Sequence, residues 1–195
     1  MSLLRSIVFF ISYFRKEVTK IKGLVHIYTG DGKGKTTAAV GLGIRAWGRG
    51  KKVLMVQFLK GMESGELIAI SKLNSNFIIN PGKSIGKFTW EMNEEELQKA
   101  AALQKEQFDY ALKEMKTNKW DVLILDEIMA AITIKMIPLE DVLELIRCKP
   151  DKLEIVMTGR NAPDELIQVA DYVSDIREVK HPFSKGIPAR RGIEN

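Results

Sequence analysis

The stretch that most limits what this chain can become is Thr29-Gly30-Asp31-Gly32-Lys33-Gly34-Lys35-Thr36-Thr37, set between an apolar run and the helix-forming Ala38-Ala39-Val40. Glycines at alternate positions let successive backbone N–H groups turn inward, and the start of a helix adds a partial positive charge. A strand–loop–helix turn built this way holds a triphosphate. In that setting Lys35 supplies a full positive charge, and the Thr36 hydroxyl can ligate Mg²⁺. Gly30, Asp31, Gly32, Lys33, Gly34, Lys35, Thr36 and Thr37 are therefore expected around the phosphates of ATP or GTP. Thr29 stands where the strict pattern has glycine. A plain glycine turn accounts for less, because it requires neither the alternation nor Gly-Lys-Thr at the helix start.

A phosphate loop of this kind usually has an acidic partner on a neighbouring strand. Asp121-Val122-Leu123-Ile124-Leu125-Asp126-Glu127 supplies one: four apolar residues, then two carboxylates. Mg²⁺ takes hard oxygen ligands, commonly one or two carboxylates with phosphate oxygens and water. Asp126 and Glu127 fall at the carboxyl end of their strand, where open α/β sheets place ligands. They are candidate Mg²⁺ ligands with Thr36; alternatively, one of them caps the helix starting at Ile128.

From Gly23 onward, β-branched apolar runs alternate with helical patterns, the signature of βα units around a parallel sheet. Strands are predicted over 24–28, 53–58, 122–125 and 155–157, with 172–179 closing the sheet. Helices are predicted over 35–47, ended by Gly48, over 139–148, opened by Pro138, and over 163–170. Asn93 and Glu96 have capping-box spacing, and the periodicity after them predicts a long packing helix to about Asn118. The fold expected is an α/β phosphate-loop NTPase domain of RecA-like type, with a mainly parallel central sheet flanked by helices. It should occupy residues 23–195, behind an extension or helix over 1–22.

Composition removes other classes. At 195 residues, 45% hydrophobic and 28% charged, the chain suits one globular domain and not a disordered or disulfide-stapled one. The net charge of +5 is small and dispersed, which favours anionic small ligands over nucleic acid. The single cysteine, Cys148, cannot form an intramolecular disulfide, and two histidines make no zinc-spaced cluster. A reducing cytoplasm is the expected compartment, with Cys148 read as a buried thiol at a helix end. The apolar segment within residues 1–20 is shorter than the roughly 20 residues a membrane span needs and contains Arg5. A short amphipathic helix packed on the domain or on a second subunit, an upstream extension and a membrane anchor are its possible readings, the last the least favoured.

Several further segments, together with the loop, resemble the ATP:corrinoid adenosyltransferases. They are Gln57-Phe58-Leu59-Lys60-Gly61, Phe88-Thr89-Trp90-Glu91, Leu125-Asp126-Glu127, Thr158-Gly159-Arg160-Asn161-Ala162-Pro163, Val179-Lys180-His181-Pro182-Phe183 and Ala189-Arg190-Arg191-Gly192-Ile193-Glu194. Thr29 at the head of the loop is normal for that family. Lys87 departs from it, standing where glycine is expected, and residues 1–20 have no counterpart. The resemblance implies attack by a reduced Co(I) corrinoid on the 5′ carbon of ATP, with release of triphosphate, in adenosylcobalamin biosynthesis or salvage. It implies Mg²⁺, ATP and a reduced corrinoid at the site, and a homodimer served by an electron donor such as a flavoprotein reductase. No acid–base residue is implied, since Co(I) is itself the nucleophile. Phe88 and Trp90 are implied to face the corrinoid and exclude its lower axial ligand; packing of a small satellite core is the other reading. Arg45 and Arg160 are candidate nucleotide contacts, or surface arginines. The competing class is a RecA-like ATPase coupling hydrolysis to a partner, and a small-molecule phosphotransferase is third.

Overall fold

The computed structural model describes residues 22–61, 64–73, 75–84, 86, 87 and 89–193. The expectations for residues 1–21 and for Phe88 lie outside the described residues. The chain order is β1 (Val25–Thr29), α1 (Lys35–Trp47), β2 (Val53–Gln57), α2 (Gly65–Ser71), β3 (Phe77–Asn80), α3 (Glu94–Lys116), β4 (Val122–Asp126), α4 (Ile128–Thr133), α5 (Leu139–Arg147), β5 (Glu154–Thr158), α6 (Asp164–Val169) and β6 (Tyr172–Asp175). One-turn 3₁₀ segments occur at Thr89–Glu91 and Pro182–Lys185.

The six strands form one sheet in the order β3-β2-β4-β5-β1-β6, and every pairing in it is parallel. A parallel strand buried on both faces reads as an unbroken apolar run, and β2 and β4 are buried at all five positions. One face, through Leu54, Val56, Leu123, Leu125, Ile155 and Met157, packs against α3 and the helices that follow β4. The other, through Val53, Met55, Ile124 and Val156, packs against Ala39 and Val40 of α1 and against Ile70 and Phe77. This arrangement aligns the carboxyl ends of β1, β2, β4 and β5 along one rim of the sheet.

The expected capping box at α3 is present: the Glu96 N–H donates to Asn93 Oδ1 at 2.9 Å, and the Asn93 N–H donates to Glu96 Oε2 at 3.1 Å. The sequence reading missed α2 and β3, which are seven and four residues long. The last strand stops at Asp175 and not at 179, because the next residue, Ile176, turns to meet the phosphate loop: the Gly32 N–H donates to the Ile176 carbonyl at 2.7 Å. Cys148 ends α5 as an exposed residue, not a buried one. Its thiol meets the Glu144 carboxylate at 2.9 Å on the solvent side of the helix. Among the described residues, no helix is long and apolar enough to cross a membrane.

Candidate active site

The loop between β1 and α1 is held from both sides. Behind it, the chain leaving β6 packs so tightly that only glycine fits. A Cβ on Gly30, whose φ is +95°, would lie 2.3 Å from Asp175 Oδ1, and one on Gly32 would lie 2.7 Å from the Ile176 and Arg177 carbonyl oxygens. In front, the Thr29 hydroxyl accepts the Ala162 N–H at 3.3 Å. The residue that breaks the strict glycine pattern thus ties the loop to the turn after β5. Gly34 enters α1 with φ +118°, a backbone conformation open to glycine.

Lys35 closes the loop on itself: its ammonium donates to the carbonyls of Gly30 at 2.6 Å and Gly32 at 2.8 Å. It is buried, and burial, followed by the nearby Arg160 charge, lowers its pKa. Arg160 leans over the same loop, with its Nη2 donating to the Asp31 carbonyl at 3.4 Å and its Nε 3.7 Å from Asp31 Oδ1.

The second half of the site is Asp126, 0% exposed at the end of β4. Oδ1 accepts the Thr36 hydroxyl at 2.9 Å and the Thr158 hydroxyl at 2.7 Å. Oδ2 accepts the Lys60 ammonium at 2.6 Å and the Gln57 amide at 3.3 Å. A buried carboxylate is costly unless donors surround it, and here four segments converge to supply them: the α1 start, the ends of β2 and β5, and the loop after β2. Glu127 follows with a left-handed backbone, φ 64°, and its N–H donates to Thr158 Oγ1 at 2.9 Å. Its side chain makes no capping hydrogen bond, so the helix-cap alternative does not describe it. Burial, with the Asp126 charge next, raises the Glu127 pKa, while Lys60, Lys35 and Arg160 pull it down.

Thr36, Asp126 and Glu127 are hard oxygen donors clustered at the mouth of the loop. Glu127 and the Thr36 hydroxyl suit a divalent cation here, while Asp126, whose two oxygens already accept four donors, would support it through Thr36.

The structure thus brings together Gly30, Asp31, Gly32, Gly34, Lys35, Thr36, Asp126, Glu127 and Arg160. Lys33 and Thr37 are exposed at the loop and the first turn of α1. Arg45 is not brought to the loop: it lies exposed in the last turn of α1, ten residues and roughly 15 Å of helix beyond Lys35. Gln57, Lys60 and Thr158 join the site from two motifs that give them no task in the sequence; the one general signal is that a buried acid ending a strand must find donors elsewhere.

Trp90 stands in the 3₁₀ turn and is 78% exposed, which argues against a core-packing role. It borders a cleft of about 210 Å³ together with Leu59, Met92, Gln104, Ile134 and Met136. A larger groove of about 920 Å³ runs between α2 and β3, but none of the expected site residues lines it.

A glycine loop between β1 and α1, and an acid-tipped strand two places away with β5 between them, define a phosphate-loop NTPase domain of RecA-like strand order. Within that class the chain belongs to the ATP:corrinoid adenosyltransferase BtuR/CobO/CobP family, whose model matches residues 21–195. It is similar to the corrinoid adenosyltransferase of Escherichia coli (strain K12), at 35% identity over 174 residues, 89% of this chain and 86% of that protein. The corrinoid adenosyltransferase CobA of Salmonella typhimurium (strain LT2) is 34% identical over 174 residues, 89% of this chain and 86% of that protein. A corrinoid adenosyltransferase of Sinorhizobium sp is 35% identical over 179 residues, 90% and 82% of the two chains. Family membership makes the protein a transferase that adenosylates corrinoids.

Proposed function

We propose that the protein transfers the 5′-deoxyadenosyl group of ATP to the Co(I) centre of a corrinoid, of the cob(I)yrinic acid a,c-diamide or cob(I)alamin type, and releases inorganic triphosphate. The observation that carries this reading is that one short segment serves two sites: Leu59 lines the Trp90 cleft while its neighbour Lys60 holds Asp126. Two substrates that share a wall can be brought to reacting distance. Bringing them together is the main task when the nucleophile needs no activation.

In this reading the Co(I) electron pair forms the Co–C5′ bond, the C5′–O bond breaks, the triphosphate leaves with the bonding pair of that C–O bond, and cobalt ends as Co(III). The protein's part is to orient the ribose and to neutralise charge growing on the departing oxygen. Loop amides from Gly30 to Thr36, Lys35 and Arg160 converge where that charge develops. Thr36 and Glu127, with Asp126 behind Thr36, would hold a Mg²⁺ ion, which supplies further positive charge to the triphosphate. A cleft of about 210 Å³ takes an edge of a macrocycle and not the whole ring, so the corrinoid would lie across it against Trp90, with Phe88 as the second aromatic of the motif.

A homodimer and an electron donor such as a flavoprotein reductase complete the proposal, with a place in adenosylcobalamin biosynthesis or salvage. Product analysis tests it. ATP is incubated with the protein and a corrinoid under strongly reducing conditions, and triphosphate with adenosylcorrinoid is expected. ADP with phosphate would instead support the hydrolysing RecA-like reading, and ADP with a phosphorylated acceptor would support phosphotransfer.

A further inference from the structure

Lys60 has no part in the reaction as described, yet it makes the shortest of the four contacts to Asp126, at 2.6 Å. Its placement is specified with some care. Phe58 is buried and donates its N–H to the Asp126 carbonyl at 2.9 Å. Leu59 then adopts a left-handed backbone, φ 57°, a conformation costly for a branched residue unless its surroundings fix it. The fixing contact is the Gln104 side chain, whose Oε1 accepts the Leu59 N–H at 2.9 Å from within α3. The reversal sends Lys60 back over the rim of the sheet toward Asp126.

A lysine whose only task was to neutralise a buried acid would be enclosed with it. Asp126 is 0% exposed at its side chain, but that of Lys60 is 30% exposed, so the lysine spans from the buried acid to the surface. Lys60 reaches Asp126 from the loop after β2, while Lys35, at the start of α1, and Arg160, after β5, reach the phosphate loop; three cations therefore border the site. Lys35 rests on the loop carbonyls, and the contacts of Arg160 to Asp31 are long.

We propose that Lys60 is a triphosphate ligand: its ammonium, held by Asp126 in this structure, turns to the triphosphate when that anion binds the loop. This rests on the reading of the loop as a triphosphate site. A lysine on a flexible stem suits the exchange because its compact charge has no fixed fork to satisfy, and it can leave one oxygen anion for another.

The experiment is calorimetric binding of inorganic tripolyphosphate to the full chain, with Mg²⁺ present, for wild type, Lys60→Gln, Lys60→Arg and Lys35→Ala, alongside their melting temperatures. Lys60→Gln removes the charge and keeps a donor, one bond shorter, beside Asp126, which retains the Thr36, Thr158 and Gln57 donors, so it should fold. We expect it to bind tripolyphosphate about tenfold more weakly, the scale of one lost charge-assisted contact. Lys60→Arg should stay within about threefold of wild type, since the charge is retained. A Lys60→Gln protein that binds tripolyphosphate as wild type does, whatever its melting temperature, overturns the proposal and leaves Lys60 a structural counter-ion. If Lys35→Ala also binds as wild type, the triphosphate reading of the loop has failed; if Lys35→Ala weakens binding and Lys60→Gln does not, only the assignment of Lys60 has failed.

Discussion

Asp126 draws its donors from Gln57, Lys60, Thr36 and Thr158, so each of these side chains is fixed by the same buried charge that they stabilise. Lys35 follows the same logic with opposite sign: an ammonium enclosed by the carbonyls of its own loop. Because Lys35 is buried, truncating it affects more than the ligand. Lys35→Ala is expected to lower ATP affinity by roughly ten- to a hundredfold, the loss of one or two charge-assisted contacts, and to lower Tm slightly by freeing the Gly30 and Gly32 carbonyls. Equilibrium ATP binding and a melting curve check both. Glu127→Gln keeps the shape and removes one candidate metal charge, so turnover should require several-fold more Mg²⁺ by the general dependence of such sites on carboxylate charge. An unchanged Mg²⁺ titration would remove Glu127 from the site. Lys35, Thr36, Asp126 and Glu127 were legible in the sequence because each lies inside a contiguous motif with its own mechanism. The tasks of Gln57, Lys60 and Thr158 were not, because they arise only when three separate strand ends meet at one carboxylate.

Among the elements, α3 does more than the packing its periodicity suggests. Two buried glutamines interrupt its apolar face. Gln104 joins Leu59 to the Lys83 carbonyl; Gln107 accepts from the Asn80 amide and donates to the Pro81 carbonyl. The helix therefore holds two of the connections that border the Trp90 cleft. Its own start can be probed separately: Asn93→Ala removes the cap and should cost about 1 kcal/mol, or about 2–4 °C in Tm for a domain of this size. A melting curve measures it, and adenosylation at 25 °C should stay close to wild type. That cap was readable because all its atoms lie within four residues. The neighbouring α2 and β3 were not, since α2 buries only Ile70 and β3 only Phe77, too few positions for a period to show. At the other edge, β6 reads longer in sequence than it is, because the bond from Gly32 to Ile176 that ends it belongs to the phosphate loop 144 residues upstream.

At the scale of the whole molecule, the parallel sheet places the nucleotide elements along one rim, and the long connection between β3 and α3 brings Trp90 alongside them. An aromatic ring 78% exposed beside an apolar cleft contributes little to the core, so its truncation should change stability by no more than about 0.5 kcal/mol, as at other surface positions. If Trp90 faces the corrinoid and excludes its lower axial ligand, its loss should matter most when that ligand has yet to be displaced. Trp90→Ala is therefore expected to keep ATP affinity and Tm near wild type while adenosylation starting from a Co(II) corrinoid falls by tenfold or more, on the scale of one lost aromatic contact. Supplying chemically prereduced Co(I), which no longer carries the ligand, should restore much of the rate. The measurement is adenosylcorrinoid formation from each starting state, with ATP binding and a melting curve on the same preparation. Equal losses from Co(II) and Co(I) would show that Trp90 binds the macrocycle without acting on its axial ligation, and a loss that tracks Tm would return the residue to a packing role.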